Sequence, residues 1–451
     1  MKELFSANDY TELSSDSKMI QAAVDAATKA GGTALIPSVN SRTGENIWNL
    51  DEGIKLHSGS RVIIDGAHLR LTDGSYINFF LNDSAADGEE WWRRETRQYD
   101  ITIEGRGGAL LDGGVHNGLF EHCFNLYDEN GKYLGKKEIN GFREPSFNRG
   151  IMFRNVERVA VSGLRFVNQR YWGMCFEFCS SAHVHDIVFE AFANVPNQDG
   201  IDVREGCNNF LLENISGLVG DDMIALTNFG VRQETDMDTS IHNVIIRDVR
   251  AFETSSCDMI RLLSRGGHQI YNVQISGVVD LTPAGDKRRP LAGIRIGDLN
   301  DYPSRLNEPG EMRNVTVRDV VTRARFGVYC ANTLVDSVFD NIQMVEDGGI
   351  GMYFNGSYLE NIYVDKLLYS SVAKPPRTDI GYEHRHHRVY IDRLMAVGFN
   401  NTEAKNVVFR DVVCAKGLDV AFYSNRPVSV RASGLVLADG VAACHGVELL
   451  N

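Results

Sequence analysis

No run of apolar residues in this chain approaches the roughly 20 that a membrane-spanning helix needs. Cationic residues are in the minority, with 46 Lys and Arg against 60 Asp and Glu, a formal charge of −14. That balance argues against nucleic acid and anionic membranes as partners. Proline is scarce, at 10 residues against 43 glycines, so turns fall mainly to Gly and to short polar residues. None of the eight cysteines stands in a Cys-x-x-Cys pair, which argues against a zinc ribbon. They read as buried thiols in a reducing compartment, with Cys175 and Cys179 the only close pair. The first residues, Met1 to Asp9, lack the apolar core of a signal peptide. A cytoplasmic protein is therefore expected, the other reading being a secreted or periplasmic chain trimmed of its leader.

What the chain does have is repetition. A six-residue phrase, apolar-x-apolar-x-x-apolar, runs as Val159–Leu164, Ala182–Ile187, Phe210–Ile215, Val244–Val249, Val273–Val278 and Val315–Val320. Further copies end at Ile342, Leu367, Leu394, Val412 and Leu435, with weaker ones starting at Val62 and Ile101. Spacings in this range mean a solenoid or array. The two-residue alternation makes the elements strands, and the polar pair before the last apolar residue is turn chemistry. An all-β, single-stranded parallel β-helix follows, expected as one domain over residues 1–451. A β-propeller would need periods nearer 40–50 residues. The spacing of Met19, Ile20, Ala23, Val24 and Ala27 predicts one helix, with Asp16 as N-cap and Gly31-Gly32 as stop. With a capping segment of about residues 1–50, its apolar face would cover the open end of the first coil. Residues 113–148 break the repeat and are expected to form a long projecting loop.

A second phrase carries acidic residues. Asp199-Gly-Ile-Asp-Val203 is echoed by Asp222-Met-Ile-Ala-Leu226, Asp258-Met-Ile-Arg-Leu262 and Ala292-Gly-Ile-Arg-Ile296. Stacked coils would set Asp199, Asp222 and Asp258 in one column at the strand entrance, with Asp221 beside them. Strand alternation would put Asp202, Ala225, Arg261 and Arg295 in an outward column. Cleaving a glycosidic bond needs one carboxylic acid to protonate the leaving oxygen and one carboxylate to activate water. Crowded carboxylates also separate in pKa, which supplies the acid. Two other readings stay open. Clustered Asp oxygens suit Ca²⁺, as a metal-dependent polysaccharide lyase would require, and the face could bind carbohydrate without catalysis.

These residues resemble glycoside hydrolase family 28, the polygalacturonase-type enzymes of the pectin-lyase-like superfamily. Asn197-Gln-Asp-Gly200 is similar to that family's Asn-Thr-Asp-Gly, and Gly220-Asp-Asp222 to its Gly-Asp-Asp. The resemblance implies a right-handed parallel β-helix and an inverting hydrolase with no cofactor and no metal. Asp221 would be the general acid, with Asp199 and Asp222 activating water. The family's Gly-His-Gly and Arg-Ile-Lys are not kept. In register its His falls on Asp258, His268 lies ten residues later, and Arg295-Ile-Gly297 loses the Lys that helps hold galacturonate. The substrate expected is an uronate-containing or related plant or microbial saccharide, held by Asn197, Asp258, Arg261, Arg295, His268 and a stacking Trp172. Trp91-Trp92 with Arg93-Arg94 are expected to line one end of the cleft, and His384–His387 to form an exposed loop.

Overall fold

The fifth position of the six-residue phrase makes a corner in each coil. It holds Gly163, Asp186, Asn214, Asp248, Gly277, Asp319, Asn341, Lys366, Asp411 and Gly434, all with φ between +52° and +68°. Gly enters this left-handed region without strain, and Asn and Asp tolerate it; Lys366 is the exception. A second left-handed residue precedes the phrase at Asn243, Asn272, Asn314, Asn361 and Asn406. Their amides bond from coil to coil: Asn272 donates to Asn243 at 3.0 Å, Asn314 to Asn272 at 2.8 Å, and Asn406 to Asn361 at 2.8 Å.

The structure is a computed structural model. It describes residues 3–86, 90–117, 149–193, 195–231, 234–253, 257–286, 288–297, 307–370, 391, 393–415 and 417–450, and the backbone of 123–127, 133–138, 382–384 and 387–389. These divide into two compact units. The first comprises residues 1–211, 216–221 and 233–238; the second comprises 212–215, 222–232 and 239–451. Each is a stack of parallel coils. In the first, Phe80–Asn82, Ile151–Arg154, Met174–Glu177 and Ile201–Arg204 pair in parallel, each with the next. In the second, Ile224, Ile260, Ile294, Val328, Met352 and Val397 stand in register on successive strands, all buried. Strand–turn–strand coils with parallel, right-handed crossovers define an all-β parallel β-helix. No helix among the described residues is long and apolar enough to cross a membrane.

The helix spans Asp16–Ala30 and buries Met19, Ile20, Ala23, Val24 and Ala27. It starts one residue earlier than expected: Ser15 is the N-cap, accepting the Lys18 N–H, and Gly31 closes the helix at φ +67°. Asp16 is instead fully buried, with Asn40, Arg42 and the Asn49 N–H donating to its carboxylate at 2.6–3.1 Å. A carboxylate gathering that many donors pins the cap to the first coil.

Two register expectations need correction. Leu367 pairs directly with Val412, so the phrase ending at Leu394 is no rung of that ladder. Val62 pairs with Ile103, not Ile101. The shift is two residues, which keeps every side chain on its face, so the apolar pattern alone could not see it. Within 113–148, Cys123–Tyr127 and Tyr133–Glu138 form an antiparallel hairpin; residues 118–122, 128–132 and 139–148 lie outside those described. Tyr382–His384 pairs antiparallel with His387–Val389, so His384 and His387 stand opposite each other on short strands; residues 385–386 of the expected histidine loop lie outside those described.

Candidate active site

Three consecutive coils of the first unit place a residue just ahead of a glycine and an inward apolar side chain. The triplets are Arg149-Gly-Ile151, Trp172-Gly-Met174 and Asp199-Gly-Ile201. Main-chain bonds fix the alignment: Gly150 N–H donates to the Trp172 carbonyl and Gly173 N–H to the Asp199 carbonyl, both at 2.9 Å. Ile151, Met174 and Ile201 follow in register. Arg149, Trp172 and Asp199 are thus successive rungs, about 4.8 Å apart. Sequence reading carried the acidic phrase only from Asp199 onward and missed Arg149; the recurring Gly-apolar pair was the signal.

Asp199 is 1% exposed, whereas Asp221 is partly open to solvent. Gln198, the residue that departs from the family motif, ties their turns together. Its buried side chain donates to the Gln169 carbonyl at 2.6 Å, and its own carbonyl accepts the Gly220 N–H at 3.1 Å. A Cβ at Gly220 would lie 2.7 Å from Gln198 Oε1, so only glycine fits there. Asn197 lies in the preceding bend at φ +59°.

In the second unit the acidic column is present and is built into the backbone. Asp222 Oδ1 accepts the Asp258 N–H at 2.9 Å, and Asp258 Oδ1 accepts the Ala292 N–H at 3.1 Å. The other oxygen of each carboxylate faces an arginine of the next strand: Arg261 Nη1 at 2.9 Å from Asp222, and Arg295 Nη1 at 3.1 Å from Asp258. Asp222 and Asp258 are 0% and 1% exposed. The outward column exists in register (Ala225, Arg261, Arg295) but is not an open surface, since Ala225 and Arg295 are buried. Alternation gives the face a side chain takes, not what lies over it. Arg261 and Arg295, both expected at the substrate, thus each form an ion pair with an aspartate one coil back.

His268 is not brought to Asp258. It follows Arg265 in a turn beyond the far end of Asp258–Ser264, a seven-residue strand of roughly 20 Å. Its ring lies where a Cβ on Gly230 would sit, 2.2 Å from Cε1.

Trp172 is likewise not an open platform for a sugar. Tyr171 stacks on it at 4.9 Å, and the guanidinium carbons of Arg149 and Arg204 lie 4.5 and 5.3 Å from its centroid. It rests on an apolar patch of Leu81, Ala85, Met152 and Cys175. Arg154, Glu177 and Arg204 sit at equal places on these three strands. Arg154 Nε donates to Glu177 at 2.6 Å, and Arg149 reaches the other Glu177 oxygen at 3.4 Å. Burial favours the neutral form of Glu177, but Arg154, Arg149 and Arg204 outweigh it and hold the carboxyl below its usual value. Trp91 packs over Arg154 at 4.7 Å, so the Trp91-Trp92 segment does border this region. Burial raises the thiols of Cys175 and Cys207, and no disulfide joins Cys175 to Cys179.

Coils of parallel strands carrying the two acidic signatures define the class: an all-β parallel β-helix with clustered carboxylates at the strand entrances. Residues 102–233, which carry both signatures, match the model of Glycosyl hydrolases family 28. No curated protein matches the chain. Among solved structures, a tailspike double mutant of E. coli bacteriophage HK620 in complex with pentasaccharide shares the fold, with TM-score 0.54 and 11% identity over 98% of this chain and 80% of its own. The Yersinia enterocolitica Family 28 exopolygalacturonase has TM-score 0.48 and 14% identity, over 100% and 78%. The polygalacturonase from Erwinia carotovora ssp. carotovora has TM-score 0.48 and 13% identity, over 97% and 94%.

Proposed function

We propose that the chain hydrolyses a glycosidic bond in an uronate-containing or related saccharide, with inversion. Asp221 protonates the leaving oxygen, and Asp199 with Asp222 activates the attacking water. The observation that carries this reading is the contrast within Gly220-Asp-Asp222: Asp221 is partly exposed, whereas Asp222 is fully buried. An acid must reach the substrate, and a carboxylate kept ionised must be supplied with donors. Asp222 has them in the Asp258 N–H and Arg261. General acid catalysis contributes about 10²–10⁴-fold. Asp221→Asn is therefore expected to lower kcat/KM by about 100-fold or more on any saccharide the protein turns over, with unchanged thermal unfolding. Unchanged turnover would remove Asp221 from the role.

A further inference from the structure

We propose that His183 and His185, on the outer face of the strand Ser180–Glu190, form a binding site for a divalent transition-metal ion of the zinc, nickel or copper kind. They belong to a different strand from the acidic phrase, and the ion takes no part in the proposed cleavage.

Strand alternation sets the pair. Ala182, Val184 and Ile187 are buried inside the coil, so His183 and His185 stand side by side on the outer face. Their ring centroids are 4.3 Å apart, with 33° between the planes. Two imidazoles bound at 2.0–2.1 Å to one tetrahedral ion hold their nitrogens about 3.3 Å apart. Rings already this close reach that spacing by turning about their own side-chain bonds, with the backbone in place. Imidazole is the ligand that suits zinc, copper and nickel.

Asp186 adds the second element of such a site. Its carboxylate lies 2.7 Å from His185 Nδ1. An ionised carboxylate only accepts, so Nδ1 carries the hydrogen and Nε2 is left as the ligating nitrogen. Metal-bound histidines are held in this way, by a carboxylate that fixes the tautomer and raises the basicity of the ring. The carboxylate is well placed to do so, because Asp186 occupies the coil's left-handed corner at φ +56°. His183 needs to offer one nitrogen only. A neutral imidazole engaged through one nitrogen still presents the other.

The neighbouring coil leaves space for the ion. Ala160 and Ser162 stand in register with His183 and His185, and Thr102 and Glu104 stand one coil further back. The two nearest side chains are thus small, and water completes the coordination. Glu104 accepts from Arg106 at 2.6 and 3.0 Å, which neutralises that guanidinium against an arriving cation. The His185 side chain is 33% exposed, so the ion enters directly from solvent. Two protein ligands with water in the remaining positions make an open, exchangeable site rather than a closed structural one.

The test is metal binding by the full chain after stripping with a chelator. Zinc, nickel and copper chlorides are titrated by calorimetry, and electron paramagnetic resonance of the copper form reads imidazole nitrogens at the ion. Copper is expected to bind most tightly, with imidazole nitrogen in its spectrum. His183→Gln and His185→Gln should each weaken binding by about tenfold or more, and Asp186→Gly by about tenfold. The corner accepts that glycine, as it does at Gly163 and Gly277. Ala160→His sets a third imidazole one rung from His183 and should tighten binding by about tenfold or more. That gain cannot come from misfolding. Glutamine variants that bind as the wild type does would place the ion elsewhere, at the acidic residues for instance, and overturn the inference. A copper spectrum without imidazole nitrogen, or no gain from Ala160→His, also overturns it. Asp221→Asn should bind the ion as the wild type does, so loss of hydrolysis and loss of metal are read separately.

Discussion

The two units use arginine and carboxylate in opposite ways. In the second unit each arginine of the acidic phrase has its own aspartate one coil back, Asp222 for Arg261 and Asp258 for Arg295, and each aspartate also accepts a backbone N–H. Charges matched one to one hold coils together. In the first unit Arg149 and Arg154 converge on Glu177, Arg204 adds its charge, and Trp172 gathers Arg149 and Arg204 beneath it. Here one carboxylate serves several cations, so no single pair carries the contact. The difference teaches that register sets which coil an arginine can reach, while the carboxylates available there decide whether it pairs singly or shares.

The largest effect that would break this contrast is in the second unit. Asp258→Ala leaves the buried Arg295 without its carboxylate and the Ala292 N–H without its acceptor. A loss of about 3–5 kcal/mol in denaturant unfolding is expected. Arg295→Met added to Asp258→Ala should recover much of it, because the stranded charge goes too. A double variant as unstable as the single would show that the pair is not the source of the loss.

A smaller effect sharpens the first unit. Glu177 has a lowered pKa when folded, so its contribution is present above its unfolded value and is lost as pH falls through the lower folded one. Arg154→Gln removes its tightest partner and should cost about 2 kcal/mol at neutral pH. It should also move the acid-side loss of stability to higher pH. Urea unfolding between pH 3 and 7 reads both; an unshifted acid limb would mean that Arg149 and Arg204 suffice.

The smallest effect comes from the inverse arrangement, one cation between two carboxylates. His57 lies 2.9 Å from Asp83 and 3.2 Å from Asp25. The Asp83 hydrogen bond chiefly, with help from Asp25 and against partial burial, raises its pKa to about 9. Its stabilisation is present in full below the ordinary histidine pKa and fades as pH rises through about 9. The site is well exposed, so His57→Gln should lower Tm only slightly at pH 6 and not at all at pH 10.

Much of this was legible in the sequence. The phrase from Val159 to Leu435 located the coils because each apolar side chain must reach one narrow interior, and the Asp, Asn or Gly usual at its fifth position read as turn chemistry. The column Asp222, Asp258, Ala292 was legible for the same reason. The ion pairs of Arg261 and Arg295 were not, because alternation cannot tell a side chain facing solvent from one engaged by the coil before. The Arg149–Trp172–Asp199 alignment was written in three Gly-apolar pairs, yet it emerges only when residues 23 and 27 positions apart are set side by side. Glu177 and Arg204 carry no motif at all; register alone brings them together.

The most direct test of the central claim is the first product of turnover. Freshly cleaved oligosaccharide, watched by proton NMR before mutarotation, should appear as the saturated sugar with inverted anomeric configuration, and Asp221→Asn should abolish that signal. A retained anomer, or an unsaturated product lost on chelation of Ca²⁺, would contradict the account.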